Sequence, residues 1–224
     1  MLSVVATPIG NLEDISFRAL EALKKCDYIA CEDTRRTKIL LNRYDINTPL
    51  LSFHSHSSNN KVKKILDLLK DKKHVSLVSD AGTPGISDPG YKITSEASKI
   101  GIKIEPIPGP SAFLTALQAA GIPINKFIYL GFLPIKKGRK TLFEKLKGED
   151  KTVVFYESPH RLLKTLKQIE EFLGKETQVI LARELTKMHE EFLRGTAEEL
   201  LKIFEEKSVK GEFVVILPIM DKVK

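Results

Sequence analysis

The chain has 224 residues, 36 Lys+Arg against 29 Asp+Glu, a formal charge of +7, 42% apolar and 29% charged residues. These values exclude global disorder, and a chain of this length buries roughly 70% of its unfolded surface, so it needs no disulfide or metal staple. The longest apolar runs, such as Phe213–Pro218, fall far short of the roughly 20 residues that cross a bilayer, which excludes a membrane span.

Short apolar runs alternate with amphipathic segments. Leu2–Ala6 predicts a buried strand, and Ser16–Lys25 a helix with Phe17, Leu20 and Leu23 on one face. Tyr28–Cys31 predicts a strand, followed by a helix over Arg35–Tyr44 capped by Thr34, with Ile39, Leu40 and Leu41 inward. Lys61–Lys70 is a helix whose stripe is Val62, Ile65, Leu66 and Leu69. His74–Ser79 and Ile102–Ile107 are strands, with a helix over Gly90–Ile100 between them. Strands alternating with helices imply a mostly parallel sheet. Pro106, Pro108 and Pro110, with Gly109 among them, break the pattern, and a helix over Ser111–Ala120 starts a new set. The expected domains are residues 1–112 and 113–224. The second half predicts strands at Phe127–Leu130, Thr152–Tyr156, Gln178–Ala182, Glu191–Arg194 and Glu212–Leu217. Helices fall at Lys140–Lys147, Arg161–Phe172 and Thr196–Glu206. Few crossover helices separate its last strands, so this sheet should be mixed. The fold class is α/β, with two α/β domains.

Chemistry concentrates at predicted strand ends. The segment Ser79–Gly90 holds three of the 13 glycines and two of the 11 prolines. It follows a strand and precedes a helix, where open α/β sheets bind ligands. Glycine lets backbone approach a ligand, and proline lowers the entropy lost on ordering the loop. Asp80 and Asp88 supply acceptors, so the loop suits a cationic or donor-rich ligand. Neither a phosphate-binding P-loop nor a dinucleotide fingerprint occurs in the chain. Thr7–Leu12 and Pro108–Ala112 repeat the arrangement of strand, Pro/Gly turn and helix, although an ordinary turn and an N-cap at Ser111 explain them equally well. Mixed acid–base clusters follow three more strands: Glu32–Arg36, Tyr156–Arg161 and Arg183–Lys187. One such cluster is ordinarily solvated surface; three at strand ends favour a shared cleft. His54 and His56 lack a third ligand at a metal-binding spacing, so no metal site is expected. Cys26 and Cys31 match no zinc spacing and point to a reduced compartment. With no basic n-region or cleavage site at the N-terminus, a cytoplasmic protein is expected. The basic excess favours a polyanionic partner.

Together, Thr7–Leu12, Glu32–Arg35, Ser79–Gly90, Pro108–Ala112, Gly131–Pro134, Tyr156–Arg161 and Lys210–Phe213 resemble the ribosomal RNA small subunit methyltransferase I family. That family belongs to the tetrapyrrole-methylase-like, class III methyltransferases. The resemblance implies S-adenosylmethionine in a cleft between two α/β domains, a homodimer, and 2′-O-methylation of a cytidine in the decoding region of 16S ribosomal RNA, with the small ribosomal subunit as the setting. It implies cofactor contacts at Pro8, Ile9, Asp80, Gly82, Thr83, Ser111, Ala112 and Tyr156. A base would come from Glu32, Asp33, Glu157 or Glu184, with the Glu32–Asp33 pair favoured because adjacent carboxylates can take different pKa values. Lys187 would stabilise the developing oxyanion. RNA would be held by Arg35, Arg36, Lys38, Arg161 and Arg183, with Lys136, Lys137, Arg139 and Lys140 on a basic helix. Phe53 is better read as core than as a stacking platform. Longer members of the family continue past the last strand, so any grip supplied there would be absent or replaced in this chain. Two rival readings are a tetrapyrrole-type small-molecule methylase and a non-catalytic ribosomal RNA-binding assembly factor.

Overall fold

In the computed structural model, which describes residues 1–53, 59–206 and 208–218, every strand of the first half is parallel to its neighbours. These strands are β1 (Leu2–Val5), β2 (Tyr28–Cys31), β3 (Leu50–Ser52), β4 (Val75–Leu77) and β5 (Ile104–Ile107), in the order β3-β2-β4-β1-β5. The helices between them are α1 (Phe17–Lys25), α2 (Thr34–Arg43), α3 (Asn59–Lys70) and α4 (Tyr91–Lys99). Side chains alternate across the sheet, so each face has its own core. Val5, Ile29, Cys31 and Val78 pack against Ala19, Leu23, Leu40 and Leu41 of α1 and α2. Leu2, Ala30, Val75 and Leu77 pack against Ile65, Leu69, Ile93 and Ala97 of α3 and α4. Phe53 lies in that second core at 1% exposure, as expected.

Three local expectations are corrected. Phe17 opens α1 pointing outward at 88% exposure, and Ala19 fills the place it was expected to take beside Leu23. Ile39 on α2 is also outward, because the 100° turn per residue sets Leu40 and Leu41 inward with Thr37. The cap of α2 is Asp33 rather than Thr34: its carboxylate accepts from the Arg35 amide, and the helix starts one residue earlier. The short strand β3 was not expected; it pairs only with β2, at an edge, where three residues complete the ladder. His54 and His56 lie outside the described residues.

Contacts divide the chain into residues 1–111 and 112–224. The second unit begins with α5 (Ala112–Ala119). Its strands are β6 (Phe127–Phe132), β7 (Thr152–Glu157), β8 (Gln178–Arg183), β9 (Glu191–Thr196) and β10 (Phe213–Leu217), ordered β6-β7-β10-β8-β9. Only β6–β7 is parallel, so the sheet is mixed as expected. One face carries α6 (Arg139–Leu146), α7 (Pro159–Leu173) and α8 (Ala197–Glu206). There Phe143, Leu162, Leu166, Ile169 and Leu200 close over Val153, Phe155, Leu181 and Val215. Each such buried side chain contributes about 1.5–3 kcal/mol. On α7, Pro159 supplies a preset φ at the first turn and Gly174 ends the helix with a positive φ.

Candidate active site

In the first unit the chain moves outward through α1 and α2 on one face and returns through α3 and α4 on the other. Adjacent strands β1 and β4 therefore send their helices to opposite faces. This is the switch point of an open parallel sheet, the place beyond the strand ends where such sheets bind ligands. The loops after β1, β4 and β5 meet at that point. Thr7 and Gly82 exchange two backbone hydrogen bonds, 2.9 Å and 3.0 Å, across an isolated antiparallel bridge. Thr7 Oγ1 donates to the Ser79 carbonyl, and Thr83 Oγ1 donates to the Pro110 carbonyl at 3.0 Å. Gly82 has φ +77°, and an added Cβ would lie 3.4 Å from Ile9 Cγ2. At Gly109 an added Cβ would lie 3.0 Å from Ala6 Cβ, so the β5 loop presses on the β1 loop with no room for a side chain. The sequence-predicted residues Pro8, Ile9, Asp80, Gly82, Thr83 and Ser111 thus lie on three cross-bonded loops. Gly109 was missed individually; the Pro–Gly–Pro context was its signal.

The carboxylates around these loops take different roles. Asp80 Oδ1 accepts from the Asp33 amide at 2.9 Å, and its Oδ2 lies 3.6 Å from Arg36 Nη1, which joins the β4 loop to the β2 loop. Asp88 is turned back on its own loop. Its oxygens accept from the Gly85 amide at 2.8 Å and from the Gly90 amide at 2.7 Å. A Cβ on Gly90 would sit 2.8 Å from Asp88 Oδ1, so only glycine closes this turn. Asp33 caps α2 and binds the Arg35 guanidinium through both oxygens, at 3.1 Å and 2.8 Å. Arg35 holds its pKa down to about 2. The pKa of Glu32 moves the other way: partial burial raises it first, and the charges of Asp88 and Asp80 add to the rise. The two neighbours are therefore a weak proton acceptor, Asp33, and a stronger one, Glu32. Among the described residues no group of three or more His, Cys, Asp or Glu is arranged to hold a metal.

The remaining predicted residues belong to the second unit. Glu157, at the end of β7, is 2% exposed and fully engaged. Its Oε1 accepts from the Ser158 amide and pairs with Arg161 Nη2 at 2.7 Å; its Oε2 accepts from Thr165 Oγ1 at 2.6 Å and lies 3.4 Å from Arg139 Nη2. Such a carboxylate has no lone pair to spare for a substrate proton. Arg139, expected on the basic rim, is corrected to a core residue at 4% exposure. It donates to Gln168 Oε1, the Pro134 carbonyl and Thr165 Oγ1. A guanidinium is tolerated in the core here because its separate N–H groups each find an acceptor. Tyr156 lies 5.4 Å, ring to ring, from both Tyr129 and Phe132, and Phe113 stacks on Tyr129 at 4.3 Å. Burial raises the Tyr156 phenol pKa above its ordinary value, so it stays protonated. Ala112 opens α5 one residue before Phe113.

Glu184 and Lys187 occupy a bend after β8. Lys187 Nζ contacts Glu184 Oε1 at 3.0 Å and Glu212 Oε2 at 3.1 Å, and Glu184 Oε1 also accepts from the Glu212 amide. Glu184 and Thr186 both have positive φ, and an added Cβ on Gly211 would lie 2.7 Å from Glu184 Cγ. Lys187 is thus held between two carboxylates. The four arginines expected to face RNA fall into two kinds. Arg35 and Arg36 have exposed side chains in the first turn of α2. Arg161 and Arg183 are partly buried struts: Arg161 donates to the Leu133 carbonyl, and Arg183 to the Lys210 carbonyl with Phe213 beneath it.

The model of the tetrapyrrole (corrin/porphyrin) methylases matches residues 1–201. A ribosomal RNA small subunit methyltransferase I of Thermotoga maritima is 51% identical over 96% of this chain and 97% of its own length. The Bacillus subtilis protein of the same name is 47% identical over 97% of this chain and 74% of its own length. Among solved structures, cobalt precorrin-4 methyltransferase, a cobalamin biosynthetic enzyme, superimposes with a TM-score of 0.74 at 18% identity, covering 97% of this chain and 94% of its own. Uroporphyrin-III-C-methyltransferase from Thermus thermophilus gives 0.68 at 18% identity, with the same coverage of both chains. At that identity the two structures establish a shared fold, that of class III methyltransferases.

Proposed function

The chain belongs to the tetrapyrrole methylase family and, within it, to the ribosomal RNA small subunit methyltransferase I family, and on that premise we propose that it moves a methyl group from S-adenosylmethionine to the 2′-hydroxyl of a cytidine in the decoding region of 16S ribosomal RNA. The observation that carries this reading is the junction of the loops Thr7–Gly10, Ser79–Gly90 and Pro108–Ser111 at the switch point of the first sheet. S-adenosylmethionine has a sulfonium, an ammonium and donor hydroxyls but no phosphate. The junction fits it: carboxylates are there, no phosphate loop is, and its glycines let backbone come close to a ligand.

When bound, the cofactor supplies a methyl carbon already activated on sulfur. The chain's own task is then alignment and proton removal; alignment alone is worth up to about 7–11 kcal/mol in well-oriented systems. Asp80 places a negative charge at the junction while holding the Asp33 amide. Pro8, Ile9, Gly82, Thr83 and Ser111 line the same loops, and Ala112 and Tyr156 join the cofactor contacts by family resemblance. Glu32, with its raised pKa, accepts the ribose proton, a contribution of roughly 10²–10⁴-fold. Asp33 orients Arg35 towards RNA, and Arg36 lies beside it. Lys187 braces the β8–β10 bend. The resemblance extends the reading to a homodimer acting in the cytoplasm on the small ribosomal subunit. No described helix is long and apolar enough to cross a membrane.

The test is incubation with methyl-labelled S-adenosylmethionine and purified small subunits, followed by nucleoside mass spectrometry. Label in 2′-O-methylcytidine is expected. The shared fold with tetrapyrrole methylases supplies the second arm: label entering only an added tetrapyrrole refutes the proposal.

A further inference from the structure

We infer that the Arg36–Asp80 pair is a latch through which ribosomal RNA and the methyl donor assist each other's binding; the inference rests on the function proposed above. Its observations lie in the first unit alone. Strands β2 and β4 are neighbours, and the loops that follow them are joined at one carboxylate. Asp80 Oδ1 accepts from the Asp33 amide at 2.9 Å, which holds the carboxylate in place. Asp80 Oδ2 faces Arg36 Nη1 at 3.6 Å. That is beyond the roughly 2.7–2.9 Å of a charged hydrogen bond, so charge alone joins the two groups. The Arg36 side chain is 64% exposed and the Asp80 side chain 29%, so the cation is the outer member of the pair and the carboxylate the inner one. Helix α2 carries Arg35, Arg36, Lys38 and Arg43 and no acidic residue, a surface suited to phosphates. Arg35 is not equivalent to Arg36. Both oxygens of Asp33 hold it, so a phosphate that takes Arg35 leaves Asp80 untouched.

Each ligand draws on one half of the pair. An RNA phosphate takes Arg36, and a cationic group of S-adenosylmethionine takes Asp80 Oδ2. Whichever ligand arrives first breaks the pair, and the second finds its partner already released. The two binding events are therefore linked with a positive sign, and linkage makes the effect reciprocal. Its size is the strength of the pair. An exposed ion pair corresponds to at most about a fivefold factor in an equilibrium constant, and a long one such as this to about threefold. Because Oδ1 stays on the Asp33 amide, only Oδ2 changes partner and neither loop has to move.

The test measures binding of labelled S-adenosylmethionine by equilibrium dialysis, alone and with saturating small ribosomal subunits. The subunits are methylated to completion beforehand, so no turnover intervenes. Wild type should bind the cofactor about threefold tighter with subunits than without. Arg36→Gln removes the cation from a largely exposed side chain, so the fold is retained. Without subunits this variant should already reach the affinity that wild type shows with them, and adding subunits should change nothing. Filter binding of the subunits should show the reciprocal pattern: cofactor tightens wild type by the same factor and leaves the variant unchanged. A wild-type cofactor affinity that subunits do not alter overturns the inference. So does an Arg36→Gln variant that is tighter in both conditions yet keeps the full step on adding subunits, which would make Arg36 a repelling charge and no latch. A variant that binds cofactor more weakly overturns it too, since Arg36 would then be a cofactor contact. These three outcomes leave the proposed function standing. Wild type that binds no S-adenosylmethionine, or no subunit, overturns that function and this inference with it.

Discussion

Replacing Asp80 separates two jobs that one carboxylate performs. Its Oδ1 accepts from the Asp33 amide at 2.9 Å, and its Oδ2 faces Arg36 at 3.6 Å. A hydrogen bond to a charged acceptor is worth about 1.5–3 kcal/mol, and an exposed pair such as Asp80–Arg36 about 0–1 kcal/mol. Asp80→Ala should therefore loosen the β2 loop by about 2 kcal/mol, read as faster amide exchange at Asp33. Asp80→Asn keeps a neutral acceptor in place, and neutral hydrogen bonds have roughly half the strength of charged ones, so it should loosen the loop by about 1 kcal/mol. Cofactor affinity should follow a different order. If the negative charge serves the sulfonium and ammonium of S-adenosylmethionine, both variants lose it equally, and calorimetry should show each weakened by at least about tenfold, or 1.4 kcal/mol. Asp80→Asn binding within twofold of wild type, with Asp80→Ala impaired, would refute the reasoning. Asp80 would then be a strut for the Asp33 loop and no more.

Glu32→Gln should lower kcat by roughly 10²–10⁴-fold. Because the Glu32 pKa is raised, the wild-type rate should climb with pH as Glu32 loses its proton, and that acid limb should vanish in the variant; a surviving limb assigns the base elsewhere. Asp33→Asn, by contrast, should leave the pH profile above about 4 unchanged, since the Asp33 carboxylate, with its pKa near 2, is already ionised there. Arg35→Ala should weaken RNA binding at unchanged cofactor affinity and reduce the salt slope by about one phosphate's share, measured by filter binding across a salt series. Gly82→Ala forces an L side chain into φ +77°, costing about 1–2 kcal/mol, and should lower cofactor affinity in calorimetry as the Thr7–Gly82 bridge opens.

Much of this fold could be read from periodicity, because most elements bury a long apolar stripe or a run of β-branched residues. Tyr28–Cys31 matched to the residue, while β3 escaped notice because three half-exposed residues carry no pattern of their own. Phe17 and Ile39 differ from expectation for a common reason: apolar character does not dictate burial, and exposed apolar residues are ordinary. At the candidate site, sequence located the loops through their glycines and prolines. It could not tell which carboxylates were free. Asp88 and Glu157 look as available in sequence as Glu32, and only the amides and guanidiniums brought to them by folding show that they are engaged. Arg139 was the hardest to foresee, since one arginine among neighbouring lysines reads as solvated surface until Glu157 and two helices enclose it.

Strand β1 runs between β4 and β5, so Leu2 has partners at Val75 and Ile104. Strand β10 likewise enters between β7 and β8. For a chain emerging from the ribosome, the first sheet cannot close until about a hundred residues have been made, roughly 5–20 s at ordinary translation rates. Until β4 is made Leu2–Val5 has no ladder on either side, and until β5 is made it has one on one side only. The second sheet ends in the reverse order, with its neighbours waiting for a strand made last. Each sheet thus completes late: the first when β5 adds at the edge beside β1, the second when β10 enters between β7 and β8. Deleting β10 would leave two pairs of strands with facing raw edges, and deleting β1 would leave a three-stranded sheet and β5 alone.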